Sequence, residues 1–232
     1  MKNNESKLIR TKLSRFGEEF SKGILIPVFI LPIVGILLAF GVLLTNKAIP
    51  LANIEKIFEF GTILKNSVLS IFINLSPVFC VGIAAGMAKS KKGNAALNAI
   101  VLFFIFIYSM NSFMKLNSLL IDGNLSGTGQ GNILGVQILD MGVFLGIILG
   151  VLTAIIHNKY FGIEFNGAMR LYGGANLALL IGIPIVIILS IILTYSWPLI
   201  QTGISKMTNL IVSTGSFGVG LYGFLERILI PT

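Results

Sequence analysis

The sequence predicts an all-α polytopic membrane protein: five transmembrane helices, a truncated sixth, and interfacial amphipathic helices. Three observations carry this. Only 11% of the 232 residues are charged and 55% are hydrophobic, where a soluble domain carries about 25% charged residues. The mean hydropathy is +0.92. Apolar runs of about 20 residues, the length that crosses a hydrocarbon core roughly 30 Å thick, recur along the chain. Such a chain cannot cover itself with polar surface, so its length reads as a number of spans rather than a number of domains.

Residues 1–22 carry Lys2, Lys7, Arg10, Lys12, Arg15 and Lys22, while Ile9, Leu13, Phe16 and Phe20 recur at helical spacing. One apolar face beside a basic one predicts a surface helix lying flat on the membrane, its cations toward anionic headgroups. A cleavable signal peptide is disfavoured, because the apolar run that follows is long and no small-residue site closes it. The first span runs from about Gly23 to Thr45 and contains Pro27 and Pro32, which predict kinks repaired by neighbouring helices. The second runs from about Val68 to Ala88, its Gly82, Ala84, Ala85 and Gly86 suited to close helix packing, and Lys89, Lys91 and Lys92 end it as a stop-transfer cap. The third covers about Ala95 to Met114, the fourth Met141 to Ile156 and the fifth Leu177 to Trp197, with Trp197-Pro198 as an aromatic anchor at the outer interface. A last run, about Gly215 to Ile230, is cut short.

Residues 46–66 alternate Ile54, Ile57 and Phe58 with Glu55, Lys56 and Glu59, which predicts a short amphipathic interfacial helix. Residues 115–140 hold Gly123, Gly127, Gly129, Gly131 and Gly135 and read as an irregular loop, with Asp140 placed to cap the fourth span. Gly127-Thr-Gly129-Gln-Gly131 resembles a phosphate-binding turn only superficially, since no Gly-Lys-Ser/Thr follows. Placing residues 1–22, 89–94 and 157–176 on one side of the membrane puts eleven cations there against five opposite. The excess belongs inside, so the N-terminus is expected in the cytoplasm.

Composition also narrows the chemistry. The net charge of +8 follows the membrane flanks and does not indicate nucleic acid. One cysteine, Cys80, inside an apolar run, reads as a small buried hydrophobe and permits neither a disulfide framework nor a cysteine metal site. His157 is the only histidine; at the end of a run it reads more readily as an interfacial polar anchor than as a catalytic base. No metal, no cofactor and no catalytic residue is expected.

The last run alone holds ionisable groups within apolar sequence, Glu226 and Arg227, where a charge costs about 2.5 to 3.5 kcal/mol at mid-helix. Neighbouring helix residues point about 100° apart, so the two do not form a good pair with each other. Two readings stand side by side: a polar cavity in which the planar Arg227 fork meets sugar hydroxyls or phosphate, and a helix end whose arginine snorkels to the interface.

Several stretches together carry a resemblance. Phe20 to Gly35 (FSKGILIPVFILPIVG), Leu75 to Lys89 (LSPVFCVGIAAGMAK), Ile155 to Tyr160, Tyr172-Gly-Gly174, Trp197 to Ile204 and above all Gly223-Phe-Leu-Glu226-Arg227-Ile-Leu-Ile-Pro231-Thr232 resemble phosphotransferase-system enzyme IIC permeases of the glucose, maltose and N-acetylglucosamine superfamily. The 127–140 loop looks more like the α-glucoside and maltose branch. The resemblance implies group translocation, in which the permease binds a sugar of the glucose or α-glucoside class and a IIB partner, itself served by IIA, phosphorylates it from a phosphocysteine. It implies a homodimer in membrane lipid, with residues 23–212 as the dimer-interface domain behind the 1–22 surface helix, and 213–232 as the first helix of the sugar-binding domain. It carries Arg227, Glu226 and Thr232 over as substrate-binding residues. The family continues past the stretch matching Pro231-Thr232 into Gly-Leu-His-His and a distant acidic motif. The chain is therefore expected to be the N-terminal portion of a permease, unable alone to transport or phosphorylate, so its own standing as an enzyme is left open. The alternative is a non-transporting dimeric scaffold or degenerate permease fragment; an unrelated channel or transporter finds no acidic ring or intramembrane carboxylate chain.

Overall fold

The computed structural model describes residues 2–125, 127–213 and Gly220. The fold is all-α: α1 (Lys2–Leu44), α2 (Glu55–Ile73), α3 (Leu75–Met87), α4 (Lys92–Leu116), α5 (Val143–Tyr160) and α6 (Ala175–Ser213). Short 3-10 turns lie at Pro50–Asn53 and Gly167–Tyr172, and one antiparallel hairpin joins β1 (Gln130–Ile133) to β2 (Val136–Leu139). By length and apolarity α1, α4, α5, α6 and the bent pair α2 plus α3 make up to five crossings. The last apolar run lies outside the described residues apart from Gly220.

α1 runs without interruption through residues 22 and 23 and through Pro27 and Pro32. The surface segment and the first span therefore share one continuous helix.

The second span differs from its expectation. Residues 46–66 do not hold a separate interfacial helix; α2 starts at Glu55 and continues to Ile73, and α3 follows at an angle of 61° after a single break at Asn74. Pro77 explains where the helix stops, because its ring excludes a carbonyl four residues earlier, that of Ile73, and supplies no N–H of its own. The pair returns alongside the whole of α1. A Cβ on Gly61 would lie 2.6 Å from Leu44 Cβ, one on Gly41 2.8 Å from Lys65 N, one on Gly82 2.7 Å from Pro27 Cδ and one on Gly86 2.5 Å from Gly23 Cα. Glycine at these crossings lets the backbones approach, and without a hydrophobic drive between helices such close packing supplies the attraction.

α3 sits at the centre, packed on α1, α4 and α5. Its seam with α5 is equally close: a Cβ on Gly146 would fall on the Ser76 carbonyl oxygen, and one on Gly150 would lie 2.8 Å from the Cys80 oxygen. The main apolar core runs from α3 and α4 (Cys80, Phe103, Phe106, Met110) through α5 (Leu145, Leu149) to α6 (Val186, Trp197) and includes the hairpin residues Ile133, Val136, Ile138 and Leu139. α6 passes through Pro184 and Pro198 and extends well beyond the expected end at Trp197. Its candidate span of 32 residues is longer, at about 1.5 Å per residue, than the bilayer core requires, so it tilts or projects.

Within the stretch expected as an irregular loop, residues 117–125 and 127–129 are irregular, and residues 130–139 form the hairpin. Leu134 and Gly135 form its two-residue turn with φ of +51° and +81°, the doubly positive geometry that matches strand twist. Asn-Gly is the usual sequence for such a turn; Leu-Gly conceals it.

Candidate functional site

Arg227, Glu226 and Thr232, the residues assigned to substrate from the sequence, lie outside the described residues. The described residues show the frame that precedes them, with polar groups concentrated at its two ends.

At one end the hairpin is tied to three helices. Asn74 Oδ1, at the α2 to α3 break, accepts from the Leu134 N–H at 2.9 Å, while its Nδ2 donates to the Ser70 carbonyl at 3.0 Å. On α4, Asn111 Nδ2 donates to the Gln137 carbonyl at 2.7 Å. On α6, Gln201 Nε2 donates to the carbonyls of Gly129 (3.0 Å) and Asp140 (2.9 Å), and Trp197 Nε1 donates to that of Asp140 at 3.0 Å. α3 is 13 residues long, roughly 20 Å, so the Asn74 break falls within the bilayer's thickness. Non-helical backbone at that depth survives only where protein satisfies it, and the amides do so.

Trp197 was expected to anchor at the membrane interface. It is instead buried, 6% exposed, and packs at a tilt on Phe144, because its indole N–H finds a carbonyl of its own chain. Asp140 places Oδ1 3.0 Å from the Gly142 N–H, one residue ahead of α5, so it closes the turn before the helix rather than capping it. The glycine-rich stretch spends its backbone internally: Gly127 and Gly129 have φ of +77° and +78°, the Gly129 carbonyl also accepts from Asp140 N, and Thr128 Oγ1 donates to the Leu125 carbonyl. An open cleft of about 1130 Å³, lined among others by Gly129, Asp140, Trp197, Gln201, Thr202 and Ser205, flanks the far end of α6.

At the other end α5 holds the turn between α3 and α4. Asn158 Nδ2 donates to the Met87 carbonyl at 2.9 Å and its Oδ1 accepts from the Lys89 N–H at 2.9 Å. His157 was expected at the interface; it is fully buried, with Nε2 3.0 Å from the Ser90 carbonyl and the ring stacked on Phe161. Nε2 therefore carries the proton toward Ser90. Lys91, at φ +48°, turns the chain.

Cys80 is fully buried on α3, its thiol directed at the Ala99 carbonyl at 3.7 Å. Among the described residues no group of three or more His, Cys, Asp or Glu side chains could hold a metal ion. The joints built by Asn74, Asn111, Asn158 and Gln201 were not anticipated. The usable signal was an amide inside or beside an apolar run, as in Ile-Asn74-Leu and His-Asn158-Lys.

This arrangement is a multi-pass helical membrane bundle in which one span is broken at Asn74 and the break is joined to a hairpin. The chain belongs to the phosphotransferase system EIIC family, which matches residues 21–232. It is 28% identical over 229 residues to the maltose-specific EIICB component of the phosphotransferase system of Bacillus subtilis (strain 168), covering 95% of this chain and 43% of that protein. It is 31% identical over 214 residues to the alpha-glucoside-specific EIICB component of Fusobacterium mortiferum, covering 89% and 41%. It is 31% identical over 225 residues to the glucose-specific EIICBA component of Staphylococcus saprophyticus, covering 95% and 32%. The chain thus spans less than half the length of these relatives.

Proposed function

We propose that this chain supplies the membrane frame of a sugar permease that couples uptake to phosphorylation, acting with IIB and IIA components on a sugar of the glucose or α-glucoside class. The observation that carries the proposal is the family match across residues 21–232, with relatives named for maltose, alpha-glucoside and glucose. In this reading residues 1–22 are a cytoplasmic surface helix, 23–212 the dimer-interface domain of a homodimer, and 213–232 the start of the sugar-binding domain, with Arg227, Glu226 and Thr232 touching sugar. Supporting the orientation is the cation excess on the 1–22, 89–94 and 157–176 side.

The test is sugar phosphorylation in membrane vesicles holding the permease completed by the C-terminal portion that its relatives carry, supplied with phosphorylated IIB. Labelled glucose and maltose should be phosphorylated, and Arg227→Ala should lower the rate about tenfold to a hundredfold, as expected for a lost charge-assisted contact of roughly 1.5 to 3 kcal/mol, while membrane insertion is unchanged. Normal phosphorylation by that variant removes Arg227 from the site. No phosphorylation by the wild type with either sugar overturns the permease reading.

A further inference from the structure

An apolar groove of about 430 Å³ opens on the outer face of the crossing of α1, α3 and α4; Ile26, Ile30, Val78, Val81, Ala85 and Ile100 line it, with almost no polar surface. Each wall has a lysine at one end. Lys22 precedes Ile26 by one turn of α1, Lys92 opens α4 two turns before Ile100, and Lys89 lies in the turn between α3 and α4, two residues past the end of α3. α1 and α3 run antiparallel here, since Gly23 meets Gly86 and Pro27 meets Gly82, so all three lysines rim the same end of the groove. At about 1.5 Å per residue Ile26 and Ile30 lie roughly 6 Å and 12 Å along α1 from Lys22, and Pro77 lies roughly 15 Å along α3 from its end at Met87, the depth of a lipid chain.

The rim is exposed and cationic. Lys22, Lys89 and Lys92 are all solvent-accessible and none makes an ion pair among the described residues. Glu18 and Glu19 lie a turn further from the groove along α1, where Glu18 accepts from the Ser14 hydroxyl. Lys91, between two of the rim lysines, instead points toward Gly174 on the other side of the turn. Lys89 is held in place, because Asn158 takes its backbone N–H and the carbonyl of Met87 just before it. A cationic rim over a dry slot of this depth fits one amphiphile: a negative headgroup above, a hydrocarbon chain below.

We propose that the α1/α3/α4 groove is a binding site for one anionic phospholipid, its phosphate bound by Lys22, Lys89 and Lys92 and one acyl chain lying along Ile26, Ile30, Val81 and Ala85. The site stands on the membrane fold alone and does not depend on the permease reading.

Native mass spectrometry of the detergent-purified chain, incubated with phosphatidylglycerol or phosphatidylcholine, tests it. One phosphatidylglycerol should be retained in preference to phosphatidylcholine. Replacing Lys22, Lys89 and Lys92 by Gln should weaken retention by about fivefold per lysine, following the roughly 1 kcal/mol that each cation gains at an anionic surface. Lys47→Gln, at the opposite end, should leave retention unchanged. Val81→Trp should fill the slot and remove retention with the lysines intact. In native membranes a photoreactive benzophenone side chain at Ile30 should capture phospholipid. Equal retention of the two lipids, a triple variant that holds phosphatidylglycerol within twofold of wild type, or capture of a second copy of the chain at Ile30 would each overturn the proposal.

Discussion

The two ends of the bundle solve one problem in different ways. At both, a helix stops inside a membrane protein and leaves backbone groups without partners, and at both an asparagine uses its two amide ends to close the gap. At the lysine-rich end the connection from α3 to α4 is only Ala88 to Lys91, and Asn158 reaches over from α5 to take Met87 O and Lys89 N. At the other end Asn74 sits within the break itself, takes Ser70 O, and offers its oxygen to the hairpin turn at Leu134. A short connection is held by a neighbour, whereas a long one, residues 117–142, folds back and becomes the neighbour. The lesson is that at membrane depth loop length matters less than whether an amide donor and acceptor stand opposite the orphaned groups.

The largest test strikes the seam that both ends share. Gly146→Leu would put a side chain on the Ser76 backbone, which cannot yield as a flexible side chain would. Loss of about 3 kcal/mol or more is expected, seen as aggregation or a lower thermal midpoint in detergent. A variant as stable as wild type would mean that α3 and α5 are not in contact there.

Asn158→Leu comes next. It leaves Met87 O and Lys89 N without partners and should cost about 2 kcal/mol, with faster hydrogen exchange at residues 88–92 and none added at the hairpin. Exchange spreading to residues 130–139 would show the two ends to be one cooperative unit.

Asn74→Ala should cost about 1 kcal/mol and speed exchange at Leu134 and its strand partners, leaving the lysine-rich turn protected. Unchanged exchange at Leu134 would detach the hairpin from the break. The smallest effect is a gain. Leu134 occupies a left-handed position at φ +51° with 43% of its surface exposed. Leu134→Asn should therefore stabilise by about 0.5 to 1 kcal/mol in thermal unfolding; destabilisation would mean that the leucine side chain packs usefully at the break.

Much of the fold could be read from the chain alone. Gly82 and Gly86 announced the close α1 to α3 packing, and each of the five long apolar runs became a crossing or part of one. The second was misjudged because residues 55–66 look amphipathic by themselves, while the helix they begin ends only where Pro77 forces a break. The hairpin was missed for a related reason: Leu134-Gly135 lacks the Asn-Gly signal, and the packing of β2 on α4 that buries Ile138 and Leu139 joins residues distant in sequence. Trp197 and His157 looked interfacial because aromatic and polar rings at the ends of apolar runs usually are. Each is buried because a carbonyl distant in sequence, on Asp140 or Ser90, lies opposite its N–H.

Spans, their number and the cation bias between their ends were determined by sequence itself, because transfer into hydrocarbon depends on the length and composition of a local run. Tertiary structure alone decided where a span breaks and which amide seals it. A hydrogen bond joining residues 60 to 72 apart, as at Asn74 with Leu134 or Gln201 with Gly129, is invisible to any local window and exists only when the helices have packed.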